Sequence, residues 1–442
     1  MDLCGVWNPL EEDKKVLVPK GDLISPFFLS EKGYRWPDLY SEIDEMIETT
    51  TLIYPLAELR RMARDGKVLF GREKILATPL THEDVVQVVE ANRKELESMD
   101  AQILRDFYFD VLKTLEERSM MHVADDKEKA LSLSPSTIVA FDDEFEMEEL
   151  VYMVDVNHKR KRVTVCFRGS VTKKDWATDY EIFMKEVDNP MKHHASQEPT
   201  VRVHNGFYDY LFTPSSRGVK GPNGEELSEY QEILQEHLLP VLRENPGYKL
   251  YVTGHSLGAA LATLFAFEAA SAPDSDIPKP VSLFSIAGPY VGDSSFRDAH
   301  QLLEAHGKLR HARVTNHKDL ITIVPKFSFK WNIFDQKSHV GSLFKHVGLN
   351  IKFYEGSAPF EISYPRVRTG YISGTIEEVW RGWDQALWNH FSWNPMAYWK
   401  WPFHSVREYS KRLDANKPSM EAIYLNDLYS REDIVGYLVP QF

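Results

Sequence analysis

Cysteine is nearly absent from this chain: Cys4 and Cys166 are the only two in 442 residues. Cys166 falls inside the β-branched run Val163 to Phe167, where a small buried thiol is expected rather than half of a disulfide. No Asn-x-Ser/Thr acceptor occurs anywhere in the sequence. Together these scarcities fit a reducing, intracellular setting. No run approaches the roughly 20 apolar residues needed to cross a bilayer as a helix. Met1 to Trp7 has no basic segment leading into an apolar one, so it does not read as a secretory signal, and the region that follows is too acidic for a transit peptide. Positive charge is also in deficit. A formal net charge of −14 excludes the basic face that phosphate-backbone recognition needs, so no nucleic-acid partner is expected. It also means that contact with an anionic lipid surface would rest on apolar groups or local basic clusters.

What the chain does have is an ordinary soluble composition, 43% hydrophobic and 27% charged, in a length that suits one large domain with insertions or two domains. Residues 1 to about 35 are irregular, punctuated by Pro9, Pro19, Gly21, Pro26 and Gly33. From Asp38 to about Met121 the pattern is helical. Thr81-His82-Glu83-Asp84 reads as a capped helix start before Val85, Val86, Val88 and Val89, and Ile103, Leu104, Phe107, Val111, Leu112 and Leu115 recur at three-to-four spacing. This region carries no chemical motif. We take residues 1–138 as a helical extension packed on a catalytic region spanning 139–442.

Strand-like runs begin near Val139. Val151 to Val156 and Val163 to Phe167, joined by a polar turn, predict a hairpin. Strands Lys249–Thr253, Val281–Ile286 and His311–Thr315 then alternate with helices starting near Leu257 and Ser294, which predicts an α/β fold with a mostly parallel sheet covered on both faces. Asn189 to Thr200 and Thr213 to Glu225 read as exposed loops.

The most informative stretch is Tyr251 to Ala260, where a strand runs through Gly254-His255-Ser256-Leu257-Gly258 into an Ala/Leu-rich helix. A serine hydroxyl is a poor nucleophile unless it is held exposed beside a base. A sharp strand-to-helix turn achieves the exposure, and Gly254 and Gly258 remove the Cβ atoms that would keep strand and helix apart. An acid should follow the serine in the chain, and a histidine should follow the acid. Asp319, in the polar loop after the strand ending near Thr315, supplies the acid that would fix the imidazole tautomer. Helix capping is the plainer alternative for such a residue. The histidines beyond it are His339, His346, His390 and His404. His346 sits in a strand-like run and reads as structural, and His390 lies in a helical, Trp-rich pattern. His404 stands in a loop at the start of the amphipathic Val406–Leu413 helix, and we prefer it over His390 as the base. His255 neighbours Ser256 but should point elsewhere. For the oxyanion, the Leu257 N–H at the helix start is one donor, and the Phe167-Arg168-Gly169-Ser170 loop suits the second, with Ser170 its donor.

These blocks resemble the class 3 lipases, the family of filamentous-fungal triacylglycerol lipases with plant, algal and protist relatives. The likeness extends through Phe167-Arg168-Gly169-Ser170 with Asp175-Trp176 and Asp179, Val203-His204-Asn205-Gly206-Phe207, Ala287 to Asp293, Arg313-Val314-Thr315-Asn316 through Asp319, and His346-Val347-Gly348. It covers about residues 140 to 350 in order, with a shorter match around His404. The resemblance implies an α/β-hydrolase, Ser170 in the oxyanion hole, and a lid beginning in residues 171–182, including Lys173, Lys174, Asp175 and Trp176. It also implies Asp319 as the triad acid and His346 as structural. Departures from the family pattern are equally visible. No proline follows Asp319 before Pro325, the stretch from Lys352 to Trp401 is longer than in compact fungal members, and the disulfides of secreted members cannot form.

Six of the ten tryptophans lie in a Trp-rich C-terminal insertion, between Trp380 and Trp401. They suit either a peripheral contact with a lipid surface or a packing layer against the N-terminal helices. The acidic run from Asp142 to Glu149 lacks a Gly-turned calcium loop, so no metal and no organic cofactor is expected. The resemblance implies a serine carboxylic ester hydrolase acting on acylglycerols or related acyl lipids, and the scarcity of cysteine places it in the cytoplasm or at a lipid droplet or organelle membrane. A phospholipase A1 or galactolipase on the same machinery is the nearer alternative, and a non-catalytic lipase-like scaffold the more distant one.

Overall fold

The computed structural model describes residues 34–68, 70–97, 135–143, 150–169, 183–194, 197–214, 218–273, 276–319, 321–323, 327–328, 342–356, 359–365 and 403–429. The Trp380–Trp401 segment, His339 and His390 fall outside these residues.

Among the described residues a nine-stranded sheet organises the chain: β1 Leu80–Thr81, β2 Ser136–Asp142, β3 Tyr152–Asn157, β4 Arg162–Phe167, β5 Lys249–His255, β6 Val281–Ile286, β7 Leu309–Asn316, β8 Leu349–Phe353 and β9 Glu361–Ser363. Spatial order follows chain order. The pairings from β4 through β8 are parallel, while β1 to β4 and the β8–β9 edge are antiparallel. The parallel centre matches the expected α/β class, and the antiparallel flank begins with the predicted hairpin.

The parallel strands are buried on both faces, polar members such as Arg310, His311 and Arg313 included. Their period-two alternation splits the core in two. Leu250, Val252, Val281, Leu283 and Leu309 face one apolar cluster; Tyr251, Phe284, Ile286, Ala312 and Val314 face the other. Helices α1 (Leu39–Arg64), α2 (His82–Ala91), α3 (Leu257–Ser271), α4 (Ser294–Ala305) and α5 (Val406–Ala415) cover the sheet. Residues of α3 and α4 fill the first cluster, and α1 and α5 contribute to the second. The Thr81 start of α2 carries a reciprocal capping box with Asp84.

The N-terminal segment contributes more than helices, because Leu80–Thr81 adds an edge strand to the sheet. Helix α1 is buried along most of its circumference and lies against the sheet. It delivers Glu42 to a buried ion pair with Arg310, a guanidinium that also donates to Ser282 at 2.7 Å, Tyr251 at 2.8 Å and Asn426 at 3.0 Å. Glu45 of the same helix pairs with buried Arg162 at 2.5 Å. Polar partners therefore orient α1 on an otherwise apolar face.

Candidate active site

Ser256 occupies the turn between β5 and α3 with φ 60° and ψ −127°, a conformation that costs a non-glycine residue energy. The turn persists because both flanks hold it: the Ser256 N–H donates to the Ile286 carbonyl at 3.0 Å, and Ala259 N–H donates to the Ser256 carbonyl at 2.9 Å. A Cβ on Gly254 would fall on the Gly258 carbonyl, and one on Gly258 would fall on the Phe167 carbonyl. Both glycines are thus required by contact between backbones.

His404 stands just before Ser405, the N-cap of α5, as expected. Its Nε2 lies 2.9 Å from Ser256 Oγ, and its Nδ1 lies 2.9 Å from Asp319 Oδ2 and 3.1 Å from Oδ1. Ser256, Asp319 and His404, the residues expected as nucleophile, acid and base, are thus brought together within hydrogen-bond distance. Two further groups, which sequence reasoning missed, hold the acid. The Tyr409 hydroxyl donates to Asp319 Oδ2 at 2.7 Å, and the Ile321 N–H donates to Oδ1 at 3.0 Å. Asp319 is only 2% exposed, so a carboxylate there depends on such donors. Burial, followed by the adjacent Asp319 charge, pushes the Tyr409 phenol well above its usual range, so it remains a donor.

The loop bearing His404 is fastened from below. Asn316, at the end of β7, donates from Nδ2 to the Phe403 carbonyl at 2.9 Å and from its N–H to the Tyr409 hydroxyl at 3.0 Å. Arg412 reaches the Phe353 carbonyl at 3.4 Å, tying α5 to the neighbouring strand end. His255 is not the base. Its Nε2 faces the His404 carbonyl at 2.8 Å, away from the serine hydroxyl.

Leu257 is the first residue of α3, so its N–H lacks an intrahelical acceptor. It therefore remains available to an oxyanion at the turn. Ser170 and the lid residues Lys173, Lys174, Asp175 and Trp176 lie outside the described residues. Of the oxyanion loop, Arg168 and Gly169 are placed at the end of β4. His346 is stacked on Tyr290, ring centroids 3.7 Å apart, which agrees with a structural part. In its segment Ser342–Leu343 pairs with Phe327–Ser328 and Lys345 makes an isolated bridge to Gly292, while His346 itself is in irregular chain leading into β8.

No sequence pattern singled out Tyr409. It lies on the buried stripe of an amphipathic helix, where an aromatic normally signals core packing.

The family model described as Lipase (class 3) matches residues 164–329, a span that includes Ser256 and Asp319 but ends before His404. Curated relatives share part of that region. Phospholipase A1-Igamma3, chloroplastic, of Arabidopsis thaliana is 27% identical over 218 residues, covering 46% of this chain and 38% of the relative. Phospholipase A1-II 3 of Oryza sativa subsp. indica is 32% identical over 186 residues, covering 40% and 42%. Galactolipase DONGLE, chloroplastic, of Arabidopsis thaliana is 29% identical over 184 residues, covering 39% and 36%. The chain thus spans about two fifths of the length of the curated relatives it matches. The matched segment, residues 164–329, holds the strained serine turn and Asp319, and over that span the chain is similar to the class 3 lipases.

Proposed function

We propose that this chain is a serine carboxylic ester hydrolase that cleaves acylglycerols or related acyl lipids through an acyl-enzyme on Ser256. The observation that carries this reading is the continuous path from Ser256 Oγ through His404 to Asp319, with 2.9 Å at both imidazole nitrogens. In the mechanism, His404 Nε2 takes the Ser256 proton as Oγ attacks the ester carbonyl. Asp319 holds the Nδ1–H and stabilises the imidazolium. The Leu257 N–H, with Ser170 by family resemblance, receives the negative charge of the tetrahedral intermediate. The carbon–oxygen bond to the alcohol then breaks, and His404 returns its proton to the departing alkoxide. A water molecule, deprotonated by the same imidazole, releases the acid and restores the serine.

The test is covalent labelling with an organophosphonate, followed by mapping the modified residue. Labelling at Ser256 that disappears in Ser256→Ala supports the reading; labelling elsewhere, or hydrolysis unchanged in that variant, rejects it.

A phospholipase A1 or galactolipase reading uses the same site, and the names of the curated relatives favour it. Release of fatty acid from triolein, phosphatidylcholine and monogalactosyldiacylglycerol, compared side by side, separates the headgroup classes. Docking on a lipid surface through Trp380–Trp401 belongs to the same proposal, as does an intracellular location. The free, buried Cys166 is in keeping with a reducing compartment.

A further inference from the structure

Helix α1 reaches the catalytic centre through one side chain. Tyr54 and His255 are separated by 201 positions, yet the Tyr54 hydroxyl lies 3.1 Å from His255 Nδ1. The same hydroxyl oxygen accepts the Gly169 N–H at 3.1 Å. On the other side of the imidazole, His255 Nε2 is 2.8 Å from the main-chain carbonyl of His404.

The roles in this chain of bonds follow from chemistry. A carbonyl only accepts, so the proton of the His255 ring is on Nε2. In a neutral ring Nδ1 then offers a lone pair, and the tyrosine must donate to it. Its oxygen is left to receive the Gly169 N–H. Neutrality is what this environment dictates: burial, reinforced by the nearby His404 ring, holds the His255 imidazole well below its ordinary range. Tyr54 and His255 are each 1% exposed, so the bonds do not compete with bulk water.

Three segments converge on this pair. Gly169 stands in the loop after β4, next in sequence to the residue assigned to the oxyanion. His255 immediately precedes the nucleophile. His404 is the base. A Cβ on Gly169 would strike the Tyr54 hydroxyl and lie 2.6 Å from the His255 carbonyl, so the loop is seated directly on both groups.

We propose that Tyr54 and His255 are positioning residues for the hydrolytic reaction, setting the spacing between the Gly169 loop, the serine turn and the main chain of His404. Neither touches the reacting atoms. This inference rests on the ester-hydrolase reading and adds that the N-terminal helix is part of the catalytic apparatus.

The experiment uses the full chain and short-chain ester hydrolysis, with competent enzyme counted by organophosphonate titration so that kcat is expressed per titrated site. Tyr54→Phe keeps the ring and removes the hydroxyl; kcat should fall by about tenfold with KM unchanged. His255→Leu should lose on the order of 100-fold, while His255→Gln, which can still donate to the His404 carbonyl, should recover to within about fivefold of wild type. Tyr40→Phe removes another α1 hydroxyl, one that donates to Asp414 at 2.8 Å, and should leave kcat unchanged.

A Tyr54→Phe variant with wild-type kcat per site overturns the inference. So does equal loss in His255→Gln and His255→Leu, because a space-filling role would not distinguish a donor from an alkyl group. If His255→Leu does not fold, the Tyr54→Phe measurement decides alone. A wild-type chain that is neither labelled at Ser256 nor active defeats the hydrolase reading, and this inference with it. An active, labelled wild type beside an unimpaired Tyr54→Phe defeats only the inference.

Discussion

The Tyr409 hydroxyl donates to Asp319 Oδ2 at 2.7 Å while its own oxygen accepts the Asn316 N–H, so one phenol joins the triad acid to the strand end that precedes it. Asp319 is a nearly dry acid that needs hydrogen-bond donors and must keep Oδ2 aligned on the imidazole. Tyr409 serves both needs. Its removal in Tyr409→Phe should lower kcat by about fivefold to tenfold and stability by about 1 kcal/mol, the value of one hydrogen bond to a buried acceptor. Steady-state kinetics and urea denaturation on the same preparation check the two figures together.

Within the triad, the loss should depend on which member is changed. Ser256→Ala should reduce kcat by at least about 10⁴-fold. Asp319→Asn should cost on the order of 10⁴-fold with little effect on KM, because an amide favours the wrong imidazole tautomer. Comparable activity in Asp319→Asn and wild type would remove Asp319 from its assigned role.

His82 offers a pH-dependent stability that is remote from catalysis. Burial pulls its imidazole down, but Asp155 and Glu48 outweigh burial and push it up to about 9. Glu48 is the direct partner at 3.0 Å, whereas Asp155, at 3.7 Å, is beyond hydrogen-bond range and acts by charge. With a folded pKa above the unfolded value, this contribution is complete below about pH 6.5. It should disappear as the pH rises from there through about 9. Chemical unfolding of wild type should therefore weaken across that interval, and the wild-type advantage over His82→Gln should shrink with it. A constant difference between the two proteins would refute the linkage.

Glu268, near the end of α3, also weakens the fold as the pH rises, but by gaining an unpaired charge rather than losing a paired one. Burial alone raises its carboxyl to about 7. An acid whose folded pKa exceeds its unfolded value opposes folding once ionised, so stability should fall as the pH rises from about 4.5 through 7. Glu268→Gln should stabilise the protein at pH 8 by on the order of 2 kcal/mol and leave it unchanged at pH 4. Thermal unfolding at those two values suffices.

The Glu42–Arg310 pair tests whether α1 is integral to the sheet. Both side chains are fully buried, and Trp36 lies over the guanidinium at 3.6 Å. Glu42→Ala leaves a buried cation without its anion and should cost about 3–5 kcal/mol. Replacement at Asp65, an exposed residue just beyond the end of the same helix, should cost less than about 0.5 kcal/mol.

What the sequence determined alone is what local chemistry dictates. The Gly254–Gly258 turn, the parallel strands and the helix starts at Leu257 and Ser294 were legible because periodicity, capping and backbone clearance act over a few neighbouring residues. Asp319 was legible as a carboxylate just past a strand. The histidine was only partly so: its loop position and helix start favoured His404 over His390, but no local rule joins it to a serine 148 positions away. Tertiary structure decided that pairing, because the parallel sheet brings the ends of β5 and β7, on either side of β6, to one edge beneath the loop before α5. It alone revealed Tyr409, Tyr54 and the partners of the His255 ring, which the sequence had only turned away from the serine. Their partners are distant in sequence, and a buried aromatic looks the same in a pattern whether its hydroxyl is idle or holds an active site in register.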